Sequence, residues 1–208
     1  RDLILSRSEV HFFFIERDRD NAKALEAELA QRGPLPNRVS CRTIEADCFL
    51  VLSQLIEWFK QPRRQLAPAF FFIDPYGFKV PGRSLRDLMS LGRVELFLTV
   101  IWRELAMAMA QAETMGPTLD EIFDGGRWRA WTRETDFDER ARQTVEGLRD
   151  LTSARWATYL RMLGDNNATR YLLVHLTNHD AGRDLMKDCI WQVCPDLSLI
   201  HISEPTRR

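Results

Sequence analysis

The sequence predicts an α/β fold built on a mostly parallel sheet flanked by helices. Three observations carry that expectation. Short apolar runs of strand length alternate with amphipathic stretches at helical spacing through the first hundred residues. The first three runs end in acids, Glu16, Asp47 and Asp74, which lie 31 and 27 residues apart. That is the length of a strand-helix-strand step, roughly 30 residues. The third run, Phe70-Phe71-Phe72-Ile73, closes in Asp74-Pro75-Tyr76-Gly77 and reads as a strand buried on both faces that delivers a carboxylate to a sheet edge. Open α/β sheets hold their ligands outside the carboxyl ends of such strands.

Taken in order, Val10 to Ile15 reads as a buried strand emptying into the charged turn Glu16-Arg17-Asp18-Arg19-Asp20. Ala22, Leu25, Ala27 and Leu29 then mark a helix, with Asp20 as its N-cap and Gly33-Pro34 as its stop. Val39 to Ile44 is the second strand, and Phe49, Leu52, Leu55, Ile56 and Phe59 stripe the second helix. Ala69 to Ile73 is the third strand, Leu85, Leu88 and Met89 mark a short helix, and Val94 to Ile101 is the fourth strand. Beyond Trp102 the character changes. Glu104 to Met115 is rich in alanine and methionine, Gly125-Gly126 breaks the chain, and Val145 to Leu163 continues in a helical pattern, so residues 103–168 are expected to form a helical insertion. Arg170 to Leu176 is a late strand, and Thr177-Asn178-His179-Asp180 opens a final helix through Trp191.

Composition narrows the function classes. The chain has 208 residues, 45% of them apolar, with 12 Phe and 6 Trp, enough for a substantial core in a single domain over residues 1–196. It contains no apolar run long enough to span a bilayer and no leader-like segment, so the expected compartment is the cytoplasm. Cys41, Cys48, Cys189 and Cys194 form no C-x-x-C pair and are read as reduced thiols. The final stretch, residues 197–208, resembles the translation of a sequencing-library adapter and is set aside as non-native. Without it the chain has 27 basic and 29 acidic residues, a net charge of −2, which argues against a protein that coats polyanions. The chain starts at Arg1 and almost at once enters a strand, so an upstream part is expected to be missing.

Several residues are candidates for chemistry, each with a plainer alternative. A carboxylate such as Glu16 at a strand end can accept from two ribose hydroxyls, or can belong to a solvated turn. Asp47 can accept from an adenine amine, or cap the helix it precedes. Asp74-Pro75-Tyr76-Gly77 suits a type I turn. A turn leaves Tyr76 unexplained, however, and a partial likeness to the Asp-Pro-Pro-Tyr turn of amino-group methyltransferases makes the segment a candidate catalytic and acceptor site. Trp128 and Trp131 interleave with Arg127, Arg129 and Arg133, a pattern that serves either a nucleic-acid surface or an ordinary amphipathic helix. His175 and His179 straddle a strand exit, where a four-residue spacing does not gather metal ligands, and no metal is expected.

With these residues on the page, the chain resembles the three-Cys-motif partner family, TcmP, whose members look like class I S-adenosylmethionine-dependent methyltransferases. The resemblance rests on Phe14-Ile15-Glu16-Arg17-Asp18, Glu45-Ala46-Asp47, Phe72-Ile73-Asp74-Pro75-Tyr76-Gly77 and Phe123-Asp124-Gly125-Gly126-Arg127-Trp128. It is strongest in Tyr171-Leu172-Leu173-Val174-His175-Leu176-Thr177-Asn178-His179, then Ala181-Gly182, Met186-Lys187-Asp188 and Trp191. It implies a Rossmann-like fold with the helical insertion before the last strand. It further implies S-adenosylmethionine as cofactor, held by Glu16 and Asp47, and a nucleobase amine of DNA or RNA as acceptor at Asp74, Pro75, Tyr76 and Gly77. A radical-type three-cysteine protein is the implied partner. The family's Gly-rich loop before the first strand has no counterpart, because residues 1–9 contain no glycine, so weak cofactor binding is expected of this chain. The alternative expectation is a non-catalytic Rossmann-like subunit whose insertion docks the partner.

Overall fold

The segments that alternate in the sequence fold as strands and helices where their periodicity places them, up to the fourth strand. In the computed structural model, which describes residues 8–164, 168–193 and 200–203, the chain divides into two compact units, Arg1–Trp58 and Phe59–Arg208.

In the first unit β1 (Val10–Glu16) and β2 (Val39–Glu45) pair in parallel, from Val10 opposite Val39 to Glu16 opposite Glu45. Helix α1 (Arg19–Gln31) makes the crossover, and Gly33, at φ 82°, turns the chain out of it. The cap of α1 is Asp18, two residues earlier than the sequence reading. Its carboxylate accepts from the N–H groups of Asp20 and Asn21, both at 2.9 Å, which satisfies two donors of the first turn. Helix α2 (Cys48–Phe59) buries Leu52 and Ile56, one turn apart. The strand expected to be buried is not: Phe12, Phe13 and Phe14 are all exposed. A pair of strands has too little cover for three consecutive rings whose side chains point to alternate faces.

The second unit starts with another parallel step, β3 (Ala69–Ile73), α3 (Gly82–Met89) and β4 (Val94–Val100). Helices α4 (Trp102–Ala110) and α5 (Ala112–Ile122), a 3₁₀ helix (Gly126–Arg133) and α6 (Phe137–Thr152) follow. The expected helical insertion ends there. Trp156–Leu163 is strand β5, paired antiparallel with β6 (Thr169–Thr177), and α7 (Asp180–Val193) is the last helix among the described residues. Ile200–Ser203, inside the stretch set aside on sequence grounds, forms β7 antiparallel to β5. The order is β3-β4-β6-β5-β7, and β6 is also antiparallel to β4. The sheet is thus mixed, with one parallel pair, instead of mostly parallel. The reason lies in the connection: β5 and β6 are joined by a few residues at Gly164, and so short a link can only reverse the chain. Gly164 N–H donates to the Ala168 carbonyl at 2.9 Å.

One face of this sheet carries the core. Val94, Leu96, Leu98 and Val100 alternate inward along β4 beside Leu172, Val174 and Leu176 of β6. Leu85 and Leu88 of α3, Leu105 and Met109 of α4, and Val145 and Leu148 of α6 complete it. The opposite face stays open at β3, where Phe70 and Phe72 are 57% and 59% exposed against Phe97, ring centroids 6.1 and 5.7 Å away. The expectation that β3 is buried on both faces therefore fails on this side, because α7, the helix on this face, seats over Glu95 and His175 and leaves the β3 rings uncovered. Helix α3 meets α5 at Gly82, where a methyl group would fall 2.3 Å from the Ile122 carbonyl oxygen. Gly82→Ala is expected to cost about 1–3 kcal/mol through forced backbone displacement, read as a lower urea midpoint at unchanged slope.

Candidate functional site

Strand β3 ends at buried Ile73 and releases Asp74 into the turn Asp74-Pro75-Tyr76-Gly77. Proline cannot extend the strand, and Gly77 supplies φ 90°, which a side chain would resist. The turn opens on a cavity of about 650 Å³, a volume in the range of small-molecule sites. The sheet contributes Phe72 from β3, Thr99 from β4, Tyr171 and Leu173 from β6 and Met162 from β5. Ile101 and Glu104, at the start of α4, form the wall facing the turn. The cavity lies beyond the carboxyl ends of β3, β4 and β5, where ligand sites of open α/β sheets form.

The polar groups of the cavity are free to bind. Among the described residues the carboxylate of neither Asp74 nor Glu104 makes a hydrogen bond or an ion pair, and the Tyr76 ring is fully exposed. Two acceptor-only carboxylates beside aromatic and aliphatic walls can take N–H donors of a flat ring and can receive a proton. All four residues of the predicted Asp74 to Gly77 site line the cavity.

Glu16 and Asp47 belong to the first unit, at the shared carboxyl edge of β1 and β2. Both carboxylates serve their own turns. Glu16 Oε1 accepts from Asp18 N–H at 2.7 Å. Asp47 Oδ1 caps α2 through the N–H groups of Phe49 and Leu50 at 2.9 and 3.1 Å, while its Oδ2 lies 4.0 Å from the Arg17 guanidinium. One oxygen of each carboxylate remains outside these backbone contacts. Burial pushes the Cys48 thiol up, and the neighbouring Asp47 carboxylate adds to the effect, so Cys48 is kept in the inert thiol form.

The two tryptophans of the cluster turn inward, while Arg127, Arg129 and Arg133 stay exposed. Trp128 is fully buried and donates to Asp120 at 2.8 Å; Arg129 stacks over its ring at 4.5 Å and pairs with the same carboxylate. Trp131 packs edge-on against Phe123. These rings hold the helices together and offer no stacking platform. The late block around Thr177 is equally structural. Asn178 accepts from Arg155 N–H, and Asp180 accepts from the Trp156 indole at 2.7 Å, which fastens the start of α7 to β5.

His175, on β6, is buried with Nε2 at 2.6 Å from Glu95 of β4, and its Nδ1 has no partner. A methyl group on Gly182 would land 1.9 Å from the Glu95 carboxylate, so α7 seats over the pair only through glycine. Burial lowers the His175 pKa from its ordinary value of 6.5, against the Glu95 hydrogen bond that raises it. An imidazolium here would bury a second N–H without an acceptor. The unfolded chain takes up this proton near 6.5 and the folded chain only at lower pH, so the stabilisation is complete above 6.5 and is lost as pH falls toward the lower folded value. A urea midpoint that drops between about pH 7 and pH 5.5, less steeply in His175→Gln, is the expected result.

No family model matches the chain, and comparison with curated proteins returns no match. The site is thus read from its own residues. Sequence reasoning missed Glu104, which was absorbed into an alanine-rich helix. A signal was available, since Glu104 follows Asp74 by 30 residues and so continues the spacing of strand-end acids. Among the described residues, no helix is long and apolar enough to cross a membrane.

Proposed function

We propose that this protein is methyltransferase-like, of the Rossmann-like class I kind, transferring a methyl group from S-adenosylmethionine to a nucleobase amine of DNA or RNA. Its partner in this reading is a radical-type three-cysteine protein. The observation that supports it best is the Asp74 turn, whose unpaired carboxylate and exposed Tyr76 ring border a ligand-sized cavity beyond the strand ends. The cofactor would supply an electrophilic methyl group. Asp74 accepts an amine N–H, aligns the nitrogen and receives its proton, while Tyr76 stacks on the base. The oxygens that Glu16 and Asp47 keep clear of their turns suit ribose hydroxyls and an adenine amine.

A second reading draws on those same two residues. Because each already has a local structural task, the protein also fits a non-catalytic subunit that binds the three-cysteine partner. The two readings separate in one assay. Labelled methyl groups from S-adenosylmethionine are followed into single-stranded DNA and RNA, with the partner present. Incorporation that requires this protein supports the transferase; its absence, with a stable complex formed, supports the binding subunit. Calorimetric titration with S-adenosylmethionine is expected to give weak binding, with Kd above about 100 μM, in the absence of a Gly-rich loop in residues 1–9. Submicromolar binding would overturn that expectation.

A further inference from the structure

The reading of Asp74 as the acceptor site leaves open what the facing wall of the cavity does. We propose that Glu104 is the residue that sets the charge and hydrogen-bond preference of this site: the cavity takes flat, amine-bearing, uncharged or cationic rings and turns away anionic ones. The inference rests on the acceptor-site reading and goes beyond it by assigning the second wall.

Three observations carry it. Glu104 leaves the first turn of α4 toward the Asp74 turn, and a methyl group on Gly77 would sit 4.0 Å from its Oε2. The carboxylate therefore lies against the backbone of the turn with no side chain between them. It has no hydrogen-bond or salt-bridge partner among the described residues, and neither does Asp74, so both walls of the cavity present acceptors and no donors of opposite charge. Among the described residues no lysine or arginine lines the space. Arg103, Arg161 and Arg170 each adjoin a lining residue in sequence; Arg161 pairs with Asp138 at 2.7 Å, and Arg170 lies over the Tyr171 ring, 5.6 Å from its centroid.

The chemistry follows from the inventory. A carboxylate only accepts, so two of them reward N–H donors and are left unsatisfied by a ring whose edge carries carbonyl oxygens. An amine on a flat ring fits the acceptors while its faces meet Phe72, Tyr76 and Tyr171. A phosphate brought into the same space meets like charge with no compensating cation. An acid in a first helical turn also interacts favourably with the helix dipole, but that role would leave ligand preference untouched, and this is where the two diverge.

The test uses the whole chain and four probes, adenosine, inosine, uridine and adenosine 5′-monophosphate, with binding followed by ligand-observed NMR. Adenosine is expected to bind about tenfold tighter than inosine or uridine, and about fivefold tighter than its monophosphate. Glu104→Gln, which keeps the side-chain length and removes the charge, is expected to shrink the adenosine-to-monophosphate ratio to within about twofold, and Glu104→Asp to restore most of it. Circular dichroism controls for folding. The proposal is overturned if Glu104→Gln leaves the ratio unchanged, if the wild type binds all four alike, or if none binds at about 10 mM. Methyl transfer that persists beside an unchanged ratio defeats this inference alone. The expected ratio without any methyl transfer defeats the transferase reading alone.

Discussion

Truncation of Trp128 to alanine is expected to be among the most damaging single changes in the larger unit, at about 3–5 kcal/mol. The ring is completely buried, stacks beneath Arg129 and donates to Asp120. Arg129 grips the same carboxylate with two nitrogens, at 2.6 and 3.0 Å. These hydrogen bonds, Arg129 first and Trp128 second, hold the Asp120 carboxyl below its ordinary range. Alanine empties a space the size of an indole that the surrounding helices can fill only in part. Trp128→Phe keeps most of the apolar volume and gives up the indole N–H. Because Asp120 is half exposed, water replaces that donor, and the loss is expected to stay near 1 kcal/mol. Urea unfolding of both variants separates the terms; equal losses would show that volume is not the main contribution.

Replacing Asp74 by alanine is expected to lower methyl transfer by about 10²- to 10⁴-fold while leaving the fold intact. The second half of that statement follows from the structure: Asp74 is exposed and its carboxylate has no partner among the described residues, and such surface positions usually shift stability by less than about 0.5 kcal/mol. The first half follows from the proposed role, because an amine that loses both its acceptor and its proton receiver is neither aligned nor relieved of charge. Asp74→Asn keeps an acceptor oxygen and removes the basic one, so its turnover is expected to lie between the wild type and alanine. Rates measured with saturating cofactor decide the matter. Undiminished turnover in Asp74→Ala removes this residue from the mechanism.

The sequence made the parallel half of the architecture legible. Each of the first three strands is a short run rich in apolar residues, is followed by a helix and ends in an acid, so element type and order could both be read between Val10 and Val100. Strand β5 escaped because nothing marks its start. Helix α6 ends on Ser153 in the left-handed conformation, φ 53°, where glycine is the usual residue. Without that signal Trp156–Leu163 merged into the preceding helix, and with it went the antiparallel hairpin that makes the sheet mixed. Burial was harder still. A triple phenylalanine reads as core in any composition-based argument, yet β1 and β3 each show such rings to solvent. Of the site, the strand-end turn could be found from its residue types. Residue type alone did not reveal Glu104, because an acid in the first turn of a helix is ordinary; only its 30-residue spacing from Asp74 marked it in the sequence, and what faces it gives that spacing meaning.

Strand β3 is the terminal strand of its sheet among the described residues, so one row of its backbone donors and acceptors has no ladder partner. Phe70 and Phe72 flank that row in the open. Neither charge, proline nor a bulge blunts the edge within Ala69–Ile73. In colloidal terms this is an adhesive margin: two molecules that meet there can extend each other's sheet, and dilute solutions will keep the protein monodisperse longer than concentrated ones. The strand that carries Asp74 to its cavity is therefore also a margin at which its sheet can be extended.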